Sequence, residues 1–294
     1  MRFSVIIPVW HQWDSLRVCL QGLSDQTHFN EILEIVVVNN DPDDNPPEWV
    51  KTIKKLLLLN ESKPSSYAAR NAGVKAAHGK ILAFTDADCI PARDWIEQAL
   101  AVLREHQDIP RLAGKIELFF RHPEKRSAVE LFEQVFAFQQ ERKVIREGSA
   151  ITANMFIRSY VFKTVGLFDE TLKSWGDTEW GTRAARSGFP ILYVPNVRVT
   201  HPARYSLRQL YKKTVRLYGG KWSIAQSKYD GPPPLLKMFH VWPPGFSSIR
   251  TALSTPLLKT TFQRIKVLYL IAFVGVTQLV EYVRLRFGAA PRRE

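Results

Sequence analysis

The chain has 294 residues, 45% apolar and 23% charged, which excludes a disordered polymer and allows one large domain or one domain with an appendage. Two cysteines, Cys19 and Cys89, exclude a disulfide framework and form no C-x-x-C pair, which fits a reducing compartment. The net charge of +13 is uneven: residues 1–200 carry 25 Lys and Arg against 25 Asp and Glu, and residues 201–294 carry 16 against 3, so the excess argues for an anionic surface met by one end of the chain.

The opening MRFSVIIPVW turns polar at His11, too short an apolar run for a secretory signal, and residues 3–7 read as a core strand. Leu16, Leu20 and Leu23 share one face of a helix that Asp14 is placed to cap. Ile35–Val38 is a β-branched run suited to a strand buried on both faces, and Leu56–Leu59 reads as another strand. A helix is expected from Ser66 to about His78, with a serine N-cap and Gly79 at its end. Ile81–Thr85 is again a strand, and Pro91 is placed to open a helix carrying Trp95, Ile96, Leu100 and Leu103. Such alternation predicts an α/β fold with a doubly wound, mostly parallel sheet. Ligands bind at the carboxyl ends of its strands, which puts residues 8–11, 39–44 and 86–88 on one rim.

Farther on, residues 127–143 read as one long helix and 152–157 as a strand. Helices are expected near 160–165 and 178–187, and short strands at 191–194 and 197–200. Residues 206–226 form a basic helical segment interrupted at Gly219-Gly220. Residues 229–256 hold six prolines and read as irregular. An apolar stretch, 267–283, lies between Lys266 and Arg284.

The strongest chemical signal is Asp86-Ala87-Asp88 directly after a strand. Two carboxylates one residue apart offer oxygen ligands to a divalent cation, and a departing diphosphate needs such charge neutralisation. A solvated turn is the alternative reading of this tripeptide alone. No G-x-G-x-x-G and no G-x-x-x-x-G-K-[ST] occurs, so dinucleotide and P-loop chemistry are unsupported.

Around this turn stand Phe3-Ser4-Val5-Ile6-Ile7-Pro8-Val9, Ala69-Arg70-Asn71-Ala72-Gly73, Asn154-Met155, Gly166-Leu167-Phe168-Asp169-Glu170, Gly176-Asp177-Thr178-Glu179-Trp180, Val194-Pro195-Asn196 and His201. In this order and spacing they resemble the family 2 glycosyltransferases of the GT-A fold, over about residues 1–204. The resemblance implies an inverting transferase that moves a sugar from a nucleotide-diphosphate donor, a UDP-, GDP- or dTDP-sugar, to an acceptor hydroxyl. By the same resemblance, Pro8 floors the nucleotide pocket and the segment from Asn39 contacts the base. The family commonly has Asp at the position of Asn39, which leaves Asp41 as the substitute candidate. Arg70 lies by the nucleotide or diphosphate, or simply pairs with Asp86. Asp86 reaches the ribose and the metal side, Asp88 ligates the metal, and His201 joins the metal or diphosphate. This ligand set suits Mg²⁺ or Mn²⁺ better than Zn²⁺.

Single displacement needs one general base near the acceptor. Asp177 and Glu179 are the candidates, at the start of a helix whose N-terminus favours the ionised carboxylate; Asp177 is preferred, and helix capping is the competing role for both. Trp180 and Asn154 are candidate acceptor contacts, with a core tryptophan as the alternative for Trp180. The expected domains are 1–204, catalytic (1–110 nucleotide-sugar half, 111–204 acceptor half), and 205–294, a basic helical extension.

The stretch 267–283 is marginal for a crossing, which takes roughly 20 residues, and contains Gln278 and Glu281. It reads better as an interfacial helix with Arg284, Arg286, Arg292 and Arg293 against anionic headgroups and Phe239, Trp242 and Phe246 at the interface. Packing on the catalytic domain or at a dimer seam is the alternative. Attachment to the cytoplasmic face of the membrane and a lipid-linked or polysaccharide acceptor follow as expectations, and no nucleic-acid partner is expected. Two other readings are a sugar nucleotidyltransferase, which would carry a Gly-rich loop where Val9-Trp10-His11-Gln12 stands, and a non-catalytic sugar-nucleotide-binding relative.

Overall fold

Five residues of strong β propensity, Phe3, Val5, Ile6, Ile7 and Val9, dominate Phe3–Val9, which forms β1, buried on both faces. In this computed structural model, which describes residues 1–227, 232–234 and 245–292, β1 lies between two parallel partners, β2 (Ile32–Asn39) and β4 (Ile81–Thr85), and β2 pairs in parallel with β3 (Leu56–Asn60). Beyond β4 the sense changes. β7 (Asn154–Arg158) runs antiparallel to both β4 and β6 (Arg111–Phe119), and the short β5 (Ile90–Pro91) runs antiparallel to β8 (Ile191–Pro202). The strand order is β3-β2-β1-β4-β7-β6-β8-β5, a mixed sheet whose parallel half is the one that alternation predicted.

The helices that pack this sheet depart from expectation at their ends. Helix α1 (Trp13–Ser24) has Gln12 at its N-cap, so Asp14 sits inside the first turn and meets the helix dipole without capping. Helix α2 (Ser66–Ala76) is capped by Ser65, whose hydroxyl accepts from the Tyr67 N–H. It ends at Ala76, and Gly79 donates its N–H to Ser4 Oγ instead of closing the helix. Pro91 belongs to β5, and helix α3 (Trp95–Glu105) starts later.

Residues 127–143 are two helices, α4 (Ala128–Phe136) and α5 (Gln140–Glu147), because Phe138 takes a left-handed backbone with φ of +47° and breaks the run. Helices α6 (Tyr160–Val165) and α7 (Gly176–Arg186) follow, and β8 is continuous where two strands were expected. Helix α8 (Leu207–Gln226) runs unbroken through Gly219-Gly220; a Cβ at Gly220 would come within 2.7 Å of Ser174, so close approach accounts for that glycine. Helix α9 (Phe246–Ser254) occupies part of the stretch expected to be irregular, and α10 spans Thr261–Arg286, longer than the apolar stretch alone. Phe239, Trp242 and Arg293 lie outside the described residues.

Contacts divide the chain into two units. The first comprises residues 1–117, 138–171 and 176–201, and the second 118–137, 172–175 and 202–294. Residues 118–137 and 172–175 thus fall in the same unit as the C-terminal part. The core of the first unit joins β1, β2 and β4 to Leu16, Leu20, Trp95, Ile96 and Leu100. In the second, Phe132 and Phe136 of α4 and Leu210 of α8 pack on Val267, Leu270, Ile271 and Val274 of α10.

The second unit also contains a fully buried carboxylate, Glu133, bonded to Lys213 Nζ at 2.7 Å and to Arg204 at 3.2 Å. Burial pushes its carboxyl up, but the two cations and their hydrogen bonds outweigh burial and hold it below the ordinary 4.5. Its stabilising contribution is complete above the ordinary value and is lost as pH falls through the lower folded value. Urea unfolding should show Glu133→Gln destabilised by about 3–5 kcal/mol at neutral pH and a weaker acid-side loss than wild type; an unchanged acid limb would exclude Glu133 as its source.

Candidate active site

The strand order places a switch point between β1 and β4, where chains leave in opposite directions and open a crevice at their carboxyl ends. Asp86 and Asp88 stand at the end of β4, in a turn closed by the Cys89 N–H on the Asp86 carbonyl at 3.0 Å. Each carboxylate has its own cationic or polar partner. Arg70, buried on α2, donates from Nη2 to Asp86 Oδ1 at 2.5 Å, lies 5.6 Å over the Tyr67 ring, and donates from Nη1 to the Ser66 carbonyl. Its Nε is buried with no hydrogen-bond partner among the described residues. His201, at the end of β8, brings Nε2 to 3.3 Å from Asp88 Oδ2, with its ring 4.5 Å from that of Phe138. Beneath, burial and then the charges of Asp88 and Asp86 push the Cys19 thiol well up, and Cys89 shifts the same way. Both cysteines are buried and carry free thiols.

On the β1–β2 side, His11 adopts a left-handed backbone, φ +53°. Its Nε2 lies 2.9 Å from Asp41 Oδ2 and its Nδ1 3.1 Å from Asp44 Oδ2, and the Trp13 indole N–H donates to the same Asp44 oxygen at 2.8 Å. Pro8, in register with Val38, is half-buried in β1. Asn39 is buried, and its amide is spent on the loop: it donates to the Asp44 carbonyl at 2.9 Å and accepts from the Asp41 N–H at 3.2 Å. Asp41 and Asp44 keep partial exposure. Trp13 stands in no recognisable motif; it lies a turn beyond the strand and meets Asp44 only through the fold.

Helix α7 supplies the acidic segment. A Cβ at Gly176 would fall 2.7 Å from the Tyr67 ring, so only glycine lets this helix start against α2. Asp177 is half-buried, and its Oδ1 accepts the Thr178 N–H at 2.8 Å. Glu179 is tied by both oxygens to Arg183, at 2.7 and 3.0 Å, and Arg183 also donates to the Val165 and Leu167 carbonyls.

The two candidate acceptor contacts, Asn154 and Trp180, both lie in the core. Asn154 is fully buried: its Oδ1 accepts from the Trp95 indole at 2.9 Å, and its Nδ2 donates to the Lys115 and Val197 carbonyls. With donor and acceptor both spent, it bolts β6, β7 and β8 together. Trp180 is also fully buried, stacked 4.7 Å from Phe162 with its indole N–H on the Gly166 carbonyl, so it is a core tryptophan.

The described residues contain no group of three or more His, Cys, Asp or Glu placed to hold a metal ion. Asp88 and His201 together offer one carboxylate and one imidazole. That pair fits a hard cation that takes most of its ligands from phosphate oxygens, and does not fit a closed zinc site.

A mixed α/β sheet with paired acidic residues at its switch point and an acidic helix start beside it defines a GT-A-type glycosyltransferase. Residues 4–166 match the family described as "Glycosyl transferase family 2", more than half of the chain, and the chain belongs to that family. It is 31% identical over 226 residues to the glycosyltransferase AglE of Haloferax volcanii, covering 75% of this chain and 73% of AglE. It is 22% identical over 241 residues, 77% of this chain and 74% of the other, to a Methanococcus voltae enzyme named dolichyl N-acetyl-alpha-D-glucosaminyl phosphate 3-beta-D-2,3-diacetamido-2,3-dideoxy-beta-D-glucuronosyltransferase. Among solved structures, the Pyrobaculum calidifontis mannosyltransferase PcManGT, in complex with GDP-Man and Mn²⁺, matches with a TM-score of 0.57 at 18% identity over 99% of this chain and 76% of its own. Residues 1–349 of Staphylococcus aureus TarS, in complex with UDP, match at 0.55 and 16% identity over 99% and 93%.

The reassignment of Asn154 has a direct test. Asn154→Ala leaves the Trp95 N–H and two carbonyls unpaired and should cost about 3 kcal/mol in urea unfolding, with nucleotide affinity of the folded fraction unchanged by calorimetry. A loss of acceptor affinity at unchanged stability would return Asn154 to the acceptor site.

Proposed function

We propose that this glycosyltransferase transfers a sugar, with inversion, from a nucleoside-diphosphate donor to a hydroxyl of a lipid-linked glycan or surface polysaccharide. The observation that carries the reading is a relay of contacts linking the start of α7 to the end of β4: Gly176 rests on Tyr67, Arg70 lies over the Tyr67 ring, and Arg70 holds Asp86. Relatives whose names include a dolichyl phosphate sugar acceptor or complexes with GDP-Man and UDP support these substrate classes.

In the proposed mechanism Pro8, Asp41 and Asp44 border the base, Asn39 and His11 hold the loop that presents them, and Asp86 faces the ribose. Asp88 and His201 would hold Mg²⁺ or Mn²⁺, which when bound neutralises charge on the diphosphate. The acceptor oxygen attacks the anomeric carbon opposite the leaving diphosphate, and its proton passes to Asp177. The bond to the diphosphate oxygen breaks with its electron pair on that oxygen, which gives inversion in one displacement. Asp177 has one oxygen on the Thr178 N–H, and its other oxygen has no hydrogen-bond partner among the described residues. Glu179, locked to Arg183, orients the helix start. The basic C-terminal segment holds the enzyme at the inner face of the cell membrane.

Calorimetry across UDP, GDP and dTDP, with and without Mn²⁺, tests the donor half. One nucleotide should bind with Mn²⁺ dependence, and Asp88→Ala should abolish that dependence. Asp177→Asn should retain donor affinity and lower kcat by about 10²–10⁴-fold. No nucleotide binding by folded protein would overturn the donor site, and full activity in Asp177→Asn would overturn the base.

A further inference from the structure

The second unit contains a cleft of about 860 Å³ lined by Arg121, His122, Lys125, Arg126 and Lys266. Two acids also line it. Glu130 is buried and committed, accepting from the Ser127 and Arg121 N–H groups in the cap of α4, and Glu124 is exposed. None of Arg121, Lys125, Arg126 or Lys266 forms an ion pair with a carboxylate among the described residues. Three are held by aromatic faces instead: Arg121 lies 4.9 Å over Tyr205, Arg126 4.3 Å over Phe120, and Lys266 4.4 Å over Phe262. Arg126 donates from Nη1 to Gln134, while its Nε is buried with no hydrogen-bond partner among the described residues. Aromatic faces orient a cation without neutralising it, so this cleft keeps its positive charge for an external anion.

Lys266 also belongs to α10, and the outer side of that helix is apolar. Phe262, Ile265, Tyr269, Val276, Val280 and Val283 recur at intervals of three, four and seven residues and are exposed, Phe262 by 65% and Tyr269 by 64%. The inner side packs on α4 and α8 through Val267, Leu270, Ile271 and Val274. The helix is long and apolar enough to cross a membrane, but a crossing would strip this inner face from the core of its unit, and the outer stripe needs no such rearrangement. A soluble phosphate has no use for an apolar stripe, and a second copy of the chain would bring a like-charged cleft. A bilayer meets both features: acyl chains against the stripe, phosphate groups in the cleft.

We infer that the Arg121, Lys125, Arg126 and Lys266 cleft binds the phosphate headgroup of an anionic membrane lipid while α10 lies in the plane of the interface on its Phe262–Val283 stripe. This deepens the membrane-facing part of the proposed function and rests on it.

Co-sedimentation of the full chain with vesicles of phosphatidylcholine, alone or mixed with phosphatidylglycerol, provides the test. Wild type should bind the anionic vesicles and bind phosphatidylcholine alone weakly. Arg121→Ala, Arg126→Ala and Lys266→Ala combined should weaken anionic binding on the order of a hundredfold. Ile265→Asp with Val280→Asp, both at exposed positions, should remove binding to either vesicle. The variants should keep wild-type melting temperature and nucleotide affinity, so a failed donor site and a failed membrane site give different results. Wild type that stays in the supernatant, cleft variants that bind as wild type does, inorganic phosphate that displaces the vesicles at low millimolar concentration, or a dimer dissociated by the stripe substitutions would each overturn the inference.

Discussion

Two carboxylates one residue apart repel, and the site depends on how the fold separates their interactions. Asp86 is met by a buried guanidinium and Asp88 by an imidazole, and these partners arrive from different parts of the chain, α2 and the end of β8. Arg70 is itself held by the Ser66 carbonyl and the face of Tyr67. A buried cation without its carboxylate carries a desolvation penalty of several kcal/mol, so the Asp86–Arg70 bond fixes α2 against the end of β4. The same Tyr67 ring is the surface on which Gly176 sits. One ion pair thus ties α2, on which the start of α7 rests, to the strand end that carries Asp86 and Asp88.

The first half of the chain was legible because its local and global signals agree. Ile35–Val38 is β-branched and buried in β2, and Leu16, Leu20 and Leu23 do face the core from α1. The switch-point rule then needs only strand ends to name 8–11, 39–44 and 86–88. Where the reading missed, a tertiary contact overrode a local one. Gly79 resembles a helix stop but answers to Ser4; Pro91 resembles a helix start but lies in a strand pair with Val199. Residues 127–143 keep helical periodicity throughout, and a single left-handed residue, Phe138, splits them. No periodicity reports such a residue.

Of the site residues, the acids were accessible to sequence because their spacing is local, whereas the environment of each was not. Asn39 and Asn154 are polar residues at strand ends, and nothing in the chain distinguishes an amide offered to a ligand from one consumed by Asp44 or Trp95. The partnership of His11 with Asp41 and Asp44 spans about thirty residues and depends on the register of β1 on β2. The basic C-terminal charge was visible as a sum, but its focus was not. The cleft cations Arg121, Lys125 and Arg126 come from a segment whose surroundings in sequence are balanced in charge, and only the second unit unites them with Lys266.

Strain marks the same places by an independent route. Four non-glycine residues take positive φ among the described residues: His11, Lys55, Phe138 and Trp175. Such conformations cost of order 1–3 kcal/mol each and persist where surrounding contacts enforce them. Lys55 sits at the start of β3 with its ammonium on the Phe29 and Ile32 carbonyls. The other three adjoin the candidate site: His11 between Asp41 and Asp44, Phe138 against the ring of His201, and Trp175 immediately before Gly176 and Asp177. Asp41, His201 and Asp177 are named by the family resemblance, without reference to backbone conformation. That the strained residues fall beside them argues that the fold is under constraint at the site, where position matters more than local preference.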